Sequence, residues 1–374
     1  MNKKCIFVLA VIALFLVFCG SAAAETQSLE KGLNFDSIYK NVPQNAKQQV
    51  EKENLNTPKG LLSYLSPSGI LDMLTGNAIS SFKKAMGDFA LIMTILLIIF
   101  VVSTFKDWLS SSAVLPAFNL MSVLTVTLAV FGLLQKAYSN AFRSVSELAI
   151  FQTSTIAVIG GAMAAGGAGV SASVLPAGVL MVINLVVRLN TTVFLPIINF
   201  YFALTLAESL YGRADISGIT KFVKSLVTWG LGFATTVLIG VLNVQKSLTG
   251  AADTAANDAA KFAVGSFLPV VGGVIKDAVS TVAGSIGVIK TTAGTFGIVI
   301  VLLTLLPPLI NCAVYSLMFK LCTGLSAFAG EAKVTGLLKN ISGAWDILLA
   351  ILVCEGVFSV VSLSILINSG VIVR

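Results

Sequence analysis

The sequence predicts an all-α, polytopic membrane protein with about seven spans, set by the length needed to cross ~30 Å of hydrocarbon. Three observations predict it. First, the chain is 56% hydrophobic and 11% charged, where a soluble domain carries about 25% charged residues. Second, residues 89–105, 296–306 and 347–367 form apolar runs with very few charges. Third, these runs lack the alternation of an outer-membrane barrel, and lipid offers the backbone no hydrogen-bond partner, so they must be helices.

The N-terminus reads as a signal peptide over residues 1–24. Lys3 and Lys4 open it, 5–18 is apolar, and Ala22-Ala23-Ala24 precedes Glu25 as a small-residue cleavage site. A lipid-attachment site at Cys19 would need a small residue where Phe18 stands, and a retained anchor helix is the other alternative. Cleavage places the mature N-terminus outside the cytoplasm.

Residues 25–88 are the substantial polar region, an extracytoplasmic segment in which lysines and acids balance. Thr57-Pro58 and Ser66-Pro67 pair a cap residue with a proline suited to a first helical turn. Ile70, Leu71, Leu74, Ala78 and Phe82 then recur at helical spacing. This predicts an amphipathic helix over 69–86, lying on the membrane, against a partner or against the protein's own membrane domain.

The membrane domain is expected over 89–374. Clear spans fall at 89–106, 113–134, 148–170, 226–243, 296–320 and 346–368, with a basic loop holding Lys136 and Arg143 between the second and third. The small-residue run 160–169 permits either close helix approach or a helix break. Residues 174–211 exceed one straight span and are interrupted by Arg188 and Pro196; two short helices, one kinked helix and a re-entrant pair all fit. Gly265, Gly272 and Gly273 around Pro269 suggest either a broken or re-entrant helix or a tight turn between packed helices. Lys83 and Lys84 precede the first span on what is the outer side if the signal is cleaved, against the positive-inside rule, so charge counting does not settle the topology.

An internal repeat is suggested by Pro196-Ile197-Ile198-Asn199 and Pro308-Leu309-Ile310-Asn311. Each leads into an apolar helix, a polar loop and a further span. Duplicated helix–loop–helix units are common in transport-type membrane proteins, although two apolar hairpins can also resemble each other by chance.

Ionisable groups inside spans are expensive to keep there, which makes them candidates for function. Glu355 lies near the middle of the final span, and Arg188 lies one helical turn after Asn184. An Arg188–Glu355 pair is the expected way to keep both charges in lipid, serving either a water-filled path or a helix contact. Glu208 and Lys320 stand at matching places in the repeat, near helix ends. Asp253 and Asp258 read as solvated residues of a polar loop.

Enzymatic chemistry is not expected. The chain has no histidine, hence no imidazole base and no His metal ligand, and it has no GxxxxGK[ST] phosphate loop. Neither a cofactor nor a metal is implied. Cys312, Cys322 and Cys354 lie in apolar runs without CxxC spacing and are read as small hydrophobes. The net charge of +7 is dispersed, so the expected contact is membrane lipid and not nucleic acid.

Residues 260–278, AKFAVGSFLPVVGGVIKDA, resemble the signature region of the stage III sporulation protein AE family, with the AKFAVG, PVVGG and DA blocks in order. Asp258 departs from it, standing where the resemblance implies a basic residue. The resemblance implies an endospore-forming bacterium and the mother-cell membrane around the engulfed forespore. It also implies a secretion-like channel complex with a cytoplasmic ATPase, ring-forming extracytoplasmic proteins and a forespore-side partner. In that complex the chain acts as conduit or membrane scaffold; a self-contained secondary transporter is the alternative. No catalytic residue carries over. The candidate pore or helix-contact residues are Arg188, Glu355, Gly265, Pro269, Gly272 and Gly273.

Overall fold

The computed structural model describes residues 36–52, 67–105, 114–211, 214–267, 272–328, 330 and 332–369. Two short helices come first, α1 (Asp36–Lys40) and α2 (Gln44–Lys52). Long helices follow: α3 (Pro67–Thr104), α4 (Val114–Ala165), α5 (Gly169–Leu189), a π-helical turn (Asn190–Phe194), α6 (Leu195–Tyr211), α7 (Ala214–Phe267), α8 (Gly272–Phe328) and α9 (Ala332–Ile367). No strand occurs among the described residues. Six rods, with α5, the π turn and α6 counted as one, are long and apolar enough to cross a bilayer. The segment read as a signal peptide, 1–24, lies outside the described residues.

Two expected boundaries are absent. The helix predicted over 69–86 and the first span are one continuous helix, α3, which begins at Pro67 as its cap signal predicts. No proline interrupts it, and its buried side, Ala85, Ile92, Leu96 and Ile99, runs across the expected junction. Likewise the predicted loop with Lys136 and Arg143 is the middle of α4, joining two expected spans into 52 helical residues. Mean hydropathy drops there, but the buried stripe does not: Leu134, Tyr138, Ala141, Val145 and Leu148 continue at helical spacing. Arg143 pairs with Glu147 one turn away at 2.8 Å.

Helices α4, α7 and α8 contain 52, 54 and 57 residues, so each is about 80 Å long at 1.5 Å per residue, against ~30 Å of hydrocarbon. Much of their length therefore stands outside the bilayer. The polar helix α2 and the chain before it mark one such part of α4. Arg143 donates to Gln44 at 3.3 Å, and the Asn41 amide donates to the Ser154 hydroxyl at 2.6 Å. Ile38, Val42, Ala46 and Val50 are buried in this region, where α1 packs against α4 and α2 against α8. The exposed charge of Glu51 beside them would be costly in hydrocarbon.

The core is the last helix. In α9, 72% of the span window is buried, against 17% for α7 at the edge of the bundle. Helix α9 packs against α4, α6, α7 and α8. Trp345 fills the centre of that contact and stacks on Tyr315 of α8 with ring centroids 4.7 Å apart. Helix backbones approach closely nearby: a Cβ on Gly297 would stand 3.1 Å from Leu363 and 3.2 Å from Thr155, bringing α8, α9 and α4 to one level.

The two segments of the suggested repeat form similar hairpins, α6–α7 and α8–α9. Their turns lie at the same end of the bundle, because the Lys333 ammonium at the start of α9 donates to the Leu210 carbonyl at the end of α6, at 3.2 Å. A cation suits that position, where unpaired helix carbonyls concentrate. The repeat is imperfect: a π turn precedes Pro196, whereas α8 continues through Pro307 and Pro308.

The small-residue run 160–169 does both things its composition permits. Gly160 lies so close to α5 that a Cβ would meet Pro176 at 2.9 Å. The chain then turns at Gly167, whose φ is +82°. Gly167 N–H donates to Ala164 O and Ala168 N–H to Met163 O, both at 3.1 Å. Together these bonds form a Schellman motif closing α4.

Candidate functional site

Three polar arrangements interrupt the apolar bundle. The first joins the hairpins. Asp346 of α9 accepts from Lys224 of α7 at 2.8 Å and from Lys320 of α8 at 3.1 Å. The Ser316 hydroxyl donates to it at 2.7 Å. Closer to the turns, Glu208 of α6 accepts from Asn340 and from Thr220, each at 2.9 Å. The Tyr201 hydroxyl donates to the Asn340 carbonyl at 2.9 Å, and Tyr315 donates to Asp88 of α3. Glu208 and Lys320, matched in the repeat, thus both bond to α9 but through different partners. Sequence reasoning missed Asp346, the hub; its signal was a carboxylate at the predicted start of the final span.

The second arrangement is at Asp253, which is a buried helical residue of α7 and not part of a solvated loop. Its two oxygens accept the Val170 and Ser171 amides at 2.8 and 2.9 Å. These amides open α5, whose cap residue, Ala168, has no side-chain oxygen to satisfy them. A carboxylate from another helix serves as the missing cap and meets the positive end of the helix dipole. Gly178 and Gln245 tighten the same contact, with the Gln245 amide donating to Val174 O at 2.9 Å.

The third is Glu355, buried in α9. The expected partner Arg188 is exposed. Glu355 Oε2 instead accepts from the buried Asn190 amide at 3.3 Å. The reason is angular: positions 188 and 190 lie about 200° apart around a helix, so only one of them faces α9. Asn190 opens the π turn. Pro196 has no N–H and its ring crowds the carbonyl four residues earlier, which disfavours a regular α-helical register. The Leu195 amide accordingly donates to Asn190 O, five residues back. A small cavity, with room for about one water molecule, is lined by Asn190, Leu231, Thr235, Cys354, Glu355 and Phe358. The Thr235 hydroxyl donates to Leu231 O at 2.8 Å.

Gly265 lies in the last turn of α7, and Gly272 and Gly273 open α8, so the glycine-rich segment stands at the junction of two long helices. Pro269 lies outside the described residues. Cys312 and Cys322 are buried and unpaired, as small hydrophobes are. No group of three or more metal-ligating side chains occurs among the described residues.

Lys290, just before the candidate span of α8, is buried and donates to the Ser369 carbonyl. Burial, with Lys246 nearby, pulls its pKa down to about 8. The unfolded chain then holds the extra proton between about pH 8 and the ordinary lysine value of ~10.4. Stability contributed by this residue therefore rises with pH across that window, and the cost of its buried charge is complete below it. Thermal melts of the detergent-solubilised protein at pH 7 and pH 9.5 check this: Lys290→Met should flatten the difference, and an unchanged difference would count against it.

The family model of stage III sporulation protein AE matches residues 57–370. The stage III sporulation protein AE of Bacillus subtilis (strain 168) is 23% identical over 234 residues. That stretch covers 63% of this chain and 59% of the relative, under two thirds of the relative's length. No solved structure matches the fold. With a family match running from the polar N-terminal region to the end of α9, this chain belongs to the stage III sporulation protein AE family.

Proposed function

We propose that this chain is the integral membrane component of a secretion-like channel complex between mother cell and forespore, and that it acts there as a membrane scaffold. The observation that carries the scaffold reading is the filled centre of the bundle. Helix α9 occupies it, with Trp345, Leu348, Leu352 and Phe358 all buried. The cavity beside Glu355 is of water size. A bundle packed in this way offers solutes no path of its own, so any conduit would form between copies or between this chain and its partners. Those partners are a cytoplasmic ATPase and ring-forming extracytoplasmic proteins. The site of action is the mother-cell membrane around the forespore, during late endospore development. Helices α4, α7 and α8 extend beyond the hydrocarbon and give such partners a rigid surface to meet.

Purification with the native partners, followed by imaging, tests this reading. Several copies per particle, arranged around an axis shared with the rings, are expected. A single copy moving solute in proteoliposomes without partners would favour the transporter reading, for which the buried Glu355 is the supporting observation.

A further inference from the structure

From the surroundings of Glu355 we infer that the cavity between the π turn, α7 and α9 binds one small monovalent cation, sodium or a proton. The inference is independent of whether the chain scaffolds or lines a channel.

The argument starts from charge. A carboxylate held in a span is costly unless something neutralises it. No lysine or arginine lines the cavity, and the expected partner, Arg188, is exposed. Asn190 supplies a dipole but no charge. The other titratable side chain on the cavity is Cys354; neither the π turn nor α7 presents an acid or base to it.

Geometry supplies the rest. Oxygen-bearing side chains converge from three elements: the Glu355 carboxylate from α9, the Asn190 amide from the π turn and the Thr235 hydroxyl from α7. The Thr235 proton is committed to Leu231 O, which leaves its oxygen lone pairs available. One carboxylate balances one positive charge. Calcium and magnesium ordinarily require several carboxylates or retained waters, for which a cavity of this size has no room. Irregular helix turns beside small cations are an established way of building such sites in membranes.

The test uses the full-length protein in detergent micelles and follows thermal unfolding in two series. One exchanges sodium chloride for choline chloride at constant ionic strength. The other varies pH between 5.5 and 8.5 without sodium. Wild type, Glu355→Gln and a remote control, Glu147→Gln, are compared. If the ion is sodium, wild type and the control gain several degrees in sodium. If it is a proton, they gain as the pH falls and show no sodium response. In either case Glu355→Gln loses the response, because a ligand stabilises only the state that binds it. Equal responses in wild type and Glu355→Gln, or no response in wild type, overturn the proposal. Should Glu355→Gln fail to fold, Asn190→Ala retains the carboxylate and removes one oxygen donor. If the ion is sodium, it should raise the half-maximal sodium concentration about tenfold, a loss of ~1.4 kcal/mol in binding. If it is a proton, the pH response should move to higher pH, because the Asn190 N–H no longer stabilises the ionised carboxylate; an unshifted midpoint also overturns the proposal.

Discussion

Asp253→Ala should destabilise the folded protein by about 3 kcal/mol, on the basis of ~1.5–3 kcal/mol for a hydrogen bond to a charged group and the cost of leaving buried donors unpaired. The two amides at the start of α5 lose their acceptors together, and they lie where water cannot readily replace the carboxylate. Asp253→Asn keeps one acceptor oxygen and gives up the charge. It should fall about midway, since the charge at a partly buried helix terminus contributes up to ~2 kcal/mol. Chemical denaturation in mixed micelles measures the loss, and hydrogen exchange localises it to residues 170–173. Wild-type stability in Asp253→Ala, with unchanged exchange at those amides, would show that the cap contributes nothing.

The second large effect is expected at Asp346. Removing one partner of a buried ion pair costs about 3–5 kcal/mol because the remaining charge stays behind. Here two lysines remain, but Lys224 and Lys320 retain side-chain exposures of 30% and 47%. Water screens them, so Asp346→Ala should cost about 2 kcal/mol. Asp346→Asn keeps an acceptor oxygen for Lys224, Lys320 and Ser316 and should fall between wild type and Asp346→Ala. Wild-type stability in Asp346→Ala would show that Asp346 is not the hub.

The physics explains which parts of this molecule were legible in its sequence. The spans were, because hydrocarbon requires long apolar helices. The paired hairpins were foreshadowed by Pro196 and Pro308, and Glu355 was conspicuous as a lone acid in an apolar run. The continuity of α4 was hidden because averaged hydropathy mixes faces, and one buried stripe can run beneath a polar surface. The partner of Glu355 was misjudged because proximity in sequence suggested Arg188, while angular position around the helix favours Asn190. The role of Asp253 was out of reach: its partners are backbone amides more than 80 residues upstream, and main-chain donors leave no mark in a sequence. Asp258, expected in a loop, is likewise a helical residue of α7.

The central position of α9 has a consequence for biogenesis. Ribosomes deliver a chain from its N-terminal end, and earlier segments begin to organise while later ones are still being made. Here the helix that the others surround follows the five other described rods in that order. Five rods must therefore reach the bilayer with their inward surfaces unmatched. Lipid, or each other, must occupy those surfaces until α9 arrives. Damage near the C-terminal end of α9 thus removes the keystone of the assembly and leaves its periphery, which makes premature termination there a lesion of the whole membrane domain.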